Sequence, residues 1–444
     1  MRSEAGEIGS VPFGEAVRAW AYVGLNSFGG PAGQIAVMHS EIVDRRAWID
    51  EPRFLHALNY VMLLPGPEAQ QLATYIGWLL HGYRGGVVAG FLFVLPGAIV
   101  LLALSILYAG FFDTAIVQAL FYGIKPAVVA LVAVAVVRLA KRALKGRAQV
   151  AIAVLAFAAM FFLDIPFPLV IGAAALAGLL LARGAGPLHE VVEESNPAVV
   201  PAQARRERVR HSVIALAIGL VLWLAPTALL ALVLGPSTLL TQLAFFFSVA
   251  AVVTFGGAYA VLAFVAQQAV DVYGWLTPGQ MLDGLGLAET TPGPLIMVVQ
   301  FVGFMAAFSQ PAGLDPFVAG TLGALLVTWV TFVPSFVFIF VGAPHVEALR
   351  HVSWLSAALA GVTAAVAGVI ANLAAWFALQ TLFGVNGEYR LGPLRLHTVE
   401  LASVDLFAVV LAVLAFVALV RLRWSLLLTL AISAAFGSAW FLLR

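Results

Sequence analysis

The chain has 444 residues, of which 62% are hydrophobic and 10% are charged, and its mean hydropathy is +1.02. Soluble domains average about 45–50% apolar and about 25% charged residues, so the composition excludes a soluble globular protein and indicates a polytopic α-helical membrane protein. The net charge is +1 and no basic patch is interleaved with aromatic residues, which argues against a nucleic-acid partner. The absence of cysteine excludes disulfides, iron–sulfur clusters and thiolate metal sites.

Apolar segments recur from end to end, and most are long enough to cross about 30 Å of hydrocarbon. We predict spans near residues 12–38, 54–82, 86–111, 114–143, 148–163, 166–183, 212–234, 238–266, 280–309, 316–342, 351–382, 402–420 and 424–443. The polar stretch 183–211 is the only long hydrophilic segment and is predicted to be a loop. It divides the chain into an N-terminal repeat (1–183), a cytoplasmic linker (184–211) and a C-terminal repeat (212–444).

Three motifs of the first half recur in the second half at one separation of 227 residues, as from Phe28 to Phe255. The matched motifs are Ser27-Phe28-Gly29-Gly30 with Thr254-Phe255-Gly256-Gly257, Trp48 with Trp275, and Pro65-Gly66-Pro67 with Pro292-Gly293-Pro294. Within a membrane, a broken helix is allowed only where protein or a water-filled cavity covers the freed backbone. Paired breaks in two halves therefore point to the binding site of a transporter.

Lysine and arginine collect in cytoplasmic loops and so orient the spans. The basic clusters are 138–147, 205–210 and 421–423. If each predicted span crosses once, with broken helices at the Pro-Gly-Pro motifs, all three clusters lie inside. The result is about 13 crossings, with the N-terminus inside and the two halves related as inverted repeats.

This orientation leaves Arg45, Arg46 and Arg53 outside, in a segment predicted to be an interfacial amphipathic helix with Trp48 as its anchor. The alternative treats 54–82 and 280–309 as re-entrant hairpins. The repeats then become parallel, and the basic cluster 421–423 lies outside.

The Pro-Gly-Pro motifs are the first candidate binding elements. Proline interrupts a helix but is favoured at the start of a new one, so Pro67 and Pro294 are predicted to begin second half-helices. The free N–H groups of a helix start bind anions. The predicted oxyanion site is completed by Pro65, Gly66, Thr291, Pro292 and Gly293. The alternative is a kink that serves packing only.

The glycine pairs form the second candidate element. Gly29 and Gly30 follow Ser27, and Gly256 and Gly257 follow Thr254. Glycine lets backbone amides approach a ligand closely, and a hydroxyl group can donate a hydrogen bond to an oxyanion. The alternative is the close packing of helices through small residues.

Ionisable residues inside the spans form the third group. Lys125 is the only lysine away from the ends of a span and precedes Pro126, where the helix is expected to open. It is predicted to supply positive charge to the site, with snorkelling to the interface as the alternative. Glu68 and Glu289 are proton-coupling candidates, although Glu68 could instead cap its half-helix. Gln70 shares that half-helix and adds a donor.

Catalytic and metal-binding signatures are missing. The eight histidines form no His-x-x-x-His pair and no His-Glu-x-x-His motif, and neither a P-loop nor a nucleophile elbow occurs. We therefore predict no metal site, no cofactor and no catalytic residue.

At these residues the chain resembles the chromate ion transporter family in its long, two-domain form. The matching elements are Phe28-Gly29-Gly30-Pro31, Trp48 with Phe54, Leu64-Pro65-Gly66-Pro67-Glu68, Tyr75-Ile76-Gly77, Leu95-Pro96, Gly123-Ile124-Lys125-Pro126, Phe255-Gly256-Gly257, Trp275-Leu276, Glu289, Thr291-Pro292-Gly293-Pro294 and Val333-Pro334. One departure is Ala258 in place of Pro31. The resemblance implies export of chromate across the bacterial inner membrane, competition by sulfate, and two homologous halves of opposite orientation.

The resulting hypothesis is a multi-pass oxyanion exporter that works by alternating access, driven by the membrane potential, by proton coupling or by anion exchange. The anion would sit between the half-helix starts at Pro67 and Pro294. The rivals are an importer or exchanger of sulfate, a membrane-embedded enzyme acting on a lipid phosphate, and a proton or anion channel. The expected partners are chromate, sulfate and the lipid bilayer, and a homodimer stays open as an assembly.

Overall fold

A computed structural model of the chain describes residues 11–184, 202–255, 257–345 and 353–444. These residues form an all-α membrane protein with one small β-hairpin, and six of the helical stretches are long and apolar enough to cross a membrane. The helices are α1 (Phe13–Asn26), α2 (Gly30–His39), α3 (Glu51–Val61), α4 (Glu68–Phe111), α5 (Ala115–Ala143), α6 (Arg147–Leu163), α7 (Phe167–Gly184), α8 (Ala202–Val233), α9 (Leu239–Val253), α10 (Ala258–Ala266), α11 (Pro278–Thr290), α12 (Val298–Ser309), α13 (Pro316–Gly342), α14 (Ser353–Leu382), α15 (Leu406–Val420) and α16 (Leu426–Leu443). The hairpin strands are β1 (Asn386–Leu391) and β2 (Leu394–Val399), which pair antiparallel.

The helix breaks fall at the four duplicated motifs. The glycine pairs separate α1 from α2 and α9 from α10, and the Pro-Gly-Pro motifs separate α3 from α4 and α11 from α12. A further reversal lies inside α4, where Gly82 has a φ of +60° and His81 is also non-helical. A straight helix of 44 residues would be about 66 Å long. The reversal instead divides α4 into a half-helix, residues 68–80, and a long helix, residues 83–111.

In the first half, the half-helices turn back at their breaks. Glu15, near the start of α1, forms an ion pair with Arg46, which lies just beyond the end of α2, at 2.7 Å. Val11 accepts a hydrogen bond from His81 at 2.7 Å, so the end of the 68–80 half-helix returns to the same place. These contacts define one face of the protein, called face A.

In the second half, the corresponding half-helices also turn back, but they do so beside the β1–β2 hairpin. The ring of Tyr273, beyond α10, lies 5.8 Å from that of Phe246 in α9. Phe301 of α12 packs against Gly284 of α11, so α12 runs back beside α11. Asp271 lies in the π-helical turn Gln267–Val272 that follows α10, and its carboxylate is 3.4 Å from Arg395 of the hairpin. This location defines face B.

These contacts do not fit the 13 predicted crossings. Arg395 also lies 3.3 Å from Asp164, which joins α6 to α7. Thirteen crossings would place Asp271 and Asp164 on opposite faces, yet one guanidinium group contacts both. The physical reason is that the chain turns back at the break: α9 and α10 lie side by side rather than end to end, and α10, with 9 residues or about 14 Å, is too short to cross the hydrocarbon by itself.

Three further predictions are corrected. The loop predicted over 183–211 is in part helix, because α8 begins at Ala202; polar residues end a membrane span without ending a helix. The helix does not open before Pro126, since α5 continues through it. The predicted amphipathic helix around Trp48 is replaced by a π-turn at Ser40–Arg45 and by α3, which Asp50 caps.

The two halves are interleaved through close glycine contacts. Gly123 of α5 packs against Gly437 of α16, and Gly361 of α14 packs against Gly178 of α7. Gly123 and Gly361 are 238 residues apart, the separation that also relates Pro96 to Pro334 in the later part of the sequence repeat. The long central helix of each half therefore packs against the last helix of the other half, and the buried core runs through both.

The hairpin is held by a buried cation, which leads to a stability prediction. The Arg395 side chain is 6% exposed and lies within 4 Å of carboxylates at Asp164, Asp271 and Glu388. Burial also lowers the pKa of the neighbouring His397 imidazole, so Arg395 is the main cation here. Replacing Arg395 with alanine should lower the free energy of unfolding by about 2 kcal/mol, because three partly exposed carboxylates lose the buried cation that they share.

The matched control is Arg390→Ala, on the opposite strand, whose side chain is 65% exposed and contacts only Asp164 among these acids. It should cost no more than about 1 kcal/mol. Unfolding of the purified protein in detergent measures both variants. Equal losses would show that the cluster is not the buried anchor described above.

Candidate functional site

The four helix breaks meet crosswise in the interior. The Gly66 N–H donates to the Thr254 carbonyl at 2.8 Å, and the Gly293 N–H donates to the Ser27 carbonyl at 2.8 Å. Both donors and both acceptors are related by the same separation of 227 residues. Each Pro-Gly-Pro motif is therefore bonded to the glycine-pair motif of the other half, and the sequence repeat is matched by a repeat in the contacts.

Side chains from neighbouring helices close around the Pro-Gly-Pro turns. Gln34 donates to the Gly293 carbonyl at 2.6 Å, and Gln71 donates to the Pro65 carbonyl at 2.7 Å. A Cβ on Gly66, where φ is +124°, would lie 2.8 Å from the Ser335 hydroxyl oxygen. In the other half, Gly97 packs against the Pro292 carbonyl. The central glycines are thus enclosed by protein rather than facing a ligand.

The glycine pairs differ, because space is open beside them. Gly29 and Gly30 have φ values of +83° and +71°, Gly257 has +97°, and a Cβ at any of the three would meet no atom within 4 Å. The predicted site residue Gly256 lies outside the described residues. This open space would let a ligand approach the backbone amides closely, and the binding role of the glycine pairs stays a prediction.

The predicted hydroxyl donors are directed into their own helices. Ser27 donates to the Val23 carbonyl at 2.6 Å, and Thr254 donates to the carbonyl of Ala250. Thr291 does the same within α11. In this structure the hydroxyl protons are therefore occupied, and backbone N–H groups are the donors left to an anion.

The half-helix after the first Pro-Gly-Pro begins as predicted, whereas the second begins later. Pro67 immediately precedes the first residue of α4, and its carbonyl accepts from Gln71. Pro294 is followed by a 3-10 turn at Leu295–Met297, so α12 starts only at Val298. The side chains that follow Pro294 are apolar and buried, whereas the polar residues Glu68 and Gln70 follow Pro67.

The polar residues of the half-helices have different surroundings. Gln70 is fully buried and donates to Thr74 at 3.0 Å, while its carbonyl oxygen has no partner among the described residues. Glu68 is the first residue of α4, and its two alternative roles, capping and proton coupling, stay predictions. Glu289 is buried and accepts from the hydroxyl of Tyr259 at 2.6 Å.

Lys125 is paired with an aspartate that the sequence analysis did not select. The Lys125 ammonium lies 3.4 Å from one oxygen of Asp283, and the Tyr108 hydroxyl donates to the other oxygen at 2.8 Å. Lys125 is therefore an interior charge within α5 rather than a snorkelling side chain. The available signal was Asp283 itself, a single aspartate within the predicted span 280–309.

The predicted site residues thus fall into two places. The breaks at Ser27, Thr254, Gly66 and Gly293 are bonded together, whereas Lys125 contacts Asp283 in the middle of α11. The described contacts do not join Lys125 directly to either Pro-Gly-Pro motif.

A sequence model of the family described as "Chromate transporter" matches residues 14–179 and 241–438. The chain is 37% identical over 352 residues to a chromate transport protein of Pseudomonas aeruginosa, covering 78% of this chain and 76% of that protein.

Two more distant relatives have matching descriptions. A probable chromate transport protein of Synechococcus elongatus is 28% identical over 360 residues, covering 81% of this chain and 83% of the relative. A chromate transport protein of Cupriavidus metallidurans is 28% identical over 348 residues, covering 78% of each. No solved structure matches the chain. The family match covers both halves and all four helix breaks, and the chain therefore belongs to the chromate transporter family.

Proposed function

We propose that this chain exports chromate across the bacterial inner membrane by alternating access. The observation that carries the proposal is the crosswise bonding of Gly66 to Thr254 and of Gly293 to Ser27. Broken half-helices that meet at a repeat interface are the usual site of substrate binding in transporters built from repeats. The descriptions of the relatives supply the substrate class.

The fold supports an inverted arrangement with fewer crossings than thirteen. We infer nine crossings and four re-entrant hairpins, with the hairpins of the first half opening at face A and those of the second half at face B. The crossing helices are residues 83–111 of α4, then α5, α6, α7, α8, α13, α14, α15 and α16. This arrangement places all the basic clusters at face A, and Arg45, Arg46 and Arg53 no longer form an exception. Face A is therefore cytoplasmic by the positive-inside rule.

The native chain has no cysteine, so single cysteines test this arrangement cleanly. We expect a cysteine at Asp44 to be labelled by an impermeant maleimide only from the cytoplasmic side, and a cysteine at Val272 only from outside. Both positions are exposed, and thirteen crossings predict the reverse for each. Cysteines at Gly392 and Leu422 are the controls, because both arrangements place them outside and inside, respectively.

In the proposed mechanism, the anion binds in the open space beside Gly29, Gly30 and Gly257, where backbone N–H groups supply donors with little side-chain charge. Lys125 adds positive charge from the face B side. The two halves then expose this space alternately to each face. Export of a dianion from a negative-inside cell gains about 4.6 kcal/mol per 100 mV from the potential. Glu68 and Glu289 are candidates for proton coupling.

Uptake of chromate into proteoliposomes tests the proposal. Saturable, potential-dependent uptake that excess sulfate reduces is expected, because sulfate is also a tetrahedral dianion. No uptake above empty liposomes by folded protein would remove the chromate assignment. Net inward movement under a clamped potential that mimics the cell would favour the sulfate importer, and currents far above transporter turnover would favour a channel.

A further inference from the structure

An interior ion pair, separate from the helix breaks, joins Lys125 to Asp283, an aspartate that has no assigned role. Asp283 is fully buried, whereas the Lys125 side chain is 27% exposed. Both carboxylate oxygens of Asp283 are engaged, one by Lys125 and the other by Tyr108. The ammonium has three donors and this carboxylate engages one of them. Asp283 therefore occupies one side of the Lys125 ammonium group, and the other side is accessible.

The space around the ammonium is kept free by a glycine. A Cβ on Gly279, in the first turn of α11, would lie 3.4 Å from the Lys125 ammonium nitrogen. Any larger side chain there would cover the cation. An anion that approaches Lys125 would therefore come close to Asp283, and the two negative groups would compete for one positive charge.

The charge balance of the pair favours a particular outcome. With Asp283 ionised, Lys125 and Asp283 sum to zero, and a dianion would bring two uncompensated charges into a low-dielectric interior. With Asp283 protonated, Lys125 is left as a single positive charge. A buried charge is strongly disfavoured unless it is paired, so anion binding and protonation of Asp283 should favour each other.

We propose that Asp283 occupies the place of the substrate beside Lys125 until an oxyanion binds the lysine instead. The Asp283 carboxylate that this exchange releases then binds one proton. The step adds one proton to the Asp283 carboxylate and transfers Lys125 from that carboxylate to the dianion, without covalent change. Release of the anion reverses both events. This inference rests on the proposed function, and it identifies a coupling residue that differs from Glu68 and Glu289.

The groups around Asp283 make it the titratable centre of this site. Helices α4, α5, α12, α14 and α16 all pack against α11. Among the described residues, the ionisable side chains that contact Asp283 are Tyr108 from α4 and Lys125 from α5. The segments of α12, α14 and α16 contain no Asp, Glu, His, Lys, Arg or Tyr. Thr363 stands at the position related to Lys125, so the pair exists in one half only.

The test measures the KM for chromate uptake between pH 6 and pH 8. The KM is expressed as the concentration of the chromate dianion, so that protonation of chromate in solution does not contribute to its pH dependence. Linkage to one proton predicts that the wild-type KM rises by up to tenfold per pH unit. Asp283→Asn should give a KM that does not change with pH. Asp113→Asn, the same amide substitution at an exposed aspartate between α4 and α5, should keep the wild-type slope.

Two outcomes would overturn the inference: a flat profile for the wild type, or an unchanged slope in Asp283→Asn. If Asp283→Asn fails to fold, the neutral double variant Lys125→Gln/Asp283→Asn is measured, and it too should lose the pH dependence and raise KM at every pH. If the wild type moves no chromate, the proposed function fails separately. Thermal stabilisation by sulfate then tests the pair, and stabilisation that is not stronger at pH 6 than at pH 8 overturns it.

Discussion

Replacing Gly66 with alanine is expected to abolish chromate transport and to destabilise the folded protein. The φ of +124° at Gly66 is one that side-chain-bearing residues rarely adopt, and the new Cβ would lie 2.7 Å from the Gln71 amide nitrogen and 2.8 Å from the Ser335 hydroxyl oxygen. Backbone strain costs about 1–3 kcal/mol, and overpacking costs about 1–3 kcal/mol more. The change also displaces the Gly66 N–H from the Thr254 carbonyl, where the two halves are joined.

The repeat provides a graded comparison. At Gly293 the φ is +90°, but the nearest atom to a Cβ is the Phe93 carbonyl oxygen at 3.3 Å. Gly293→Ala should therefore be strained but less crowded, and should lose less stability than Gly66→Ala. Gly172→Ala in α7 is the control, because a Cβ there meets open space and alanine favours a helix. Uptake in proteoliposomes and unfolding in detergent measure the series, and wild-type behaviour of Gly66→Ala would contradict the crosswise joint.

The positions of the helix breaks could be predicted from the sequence, because Gly and Pro act locally on the backbone. The motifs at Ser27–Gly30 and Pro65–Pro67 interrupt helices where expected, and so do their repeats. The direction in which the chain continues after each break could not be predicted. Hydropathy reports only that a segment is apolar, and a segment that crosses has the same composition as one that turns back.

The interior contacts depended on residues far apart in the chain. Lys125 was selected because a lysine within an apolar span is unusual, but its partner Asp283 belongs to the other half. Such a pairing is set by how α5 packs against α11, which a single sequence does not reveal. The hairpin β1–β2 was missed for a related reason: its side chains are mostly exposed, and Arg395 is held by acids from two distant turns.

Replacing Lys125 with methionine is expected to reduce chromate transport by about two orders of magnitude. Methionine keeps much of the length and apolar stem of lysine but removes the positive charge available to a dianion. Truncating one partner of a desolvated charge pair costs about 2–5 kcal/mol, which corresponds to roughly 30-fold to several-thousand-fold. Asp283, fully buried, also loses its cation, so the free energy of unfolding should fall as well.

Lys141→Met separates this effect from a general loss of charge, because Lys141 is exposed near the C-terminal end of the same helix, in the basic cluster at face A. It should transport chromate at close to the wild-type rate. Adding Asp283→Asn to Lys125→Met removes the unpaired carboxylate, so it should restore stability but not transport. Recovery of transport in that double variant would show that Lys125 serves only to neutralise Asp283, and that the anion does not need the lysine.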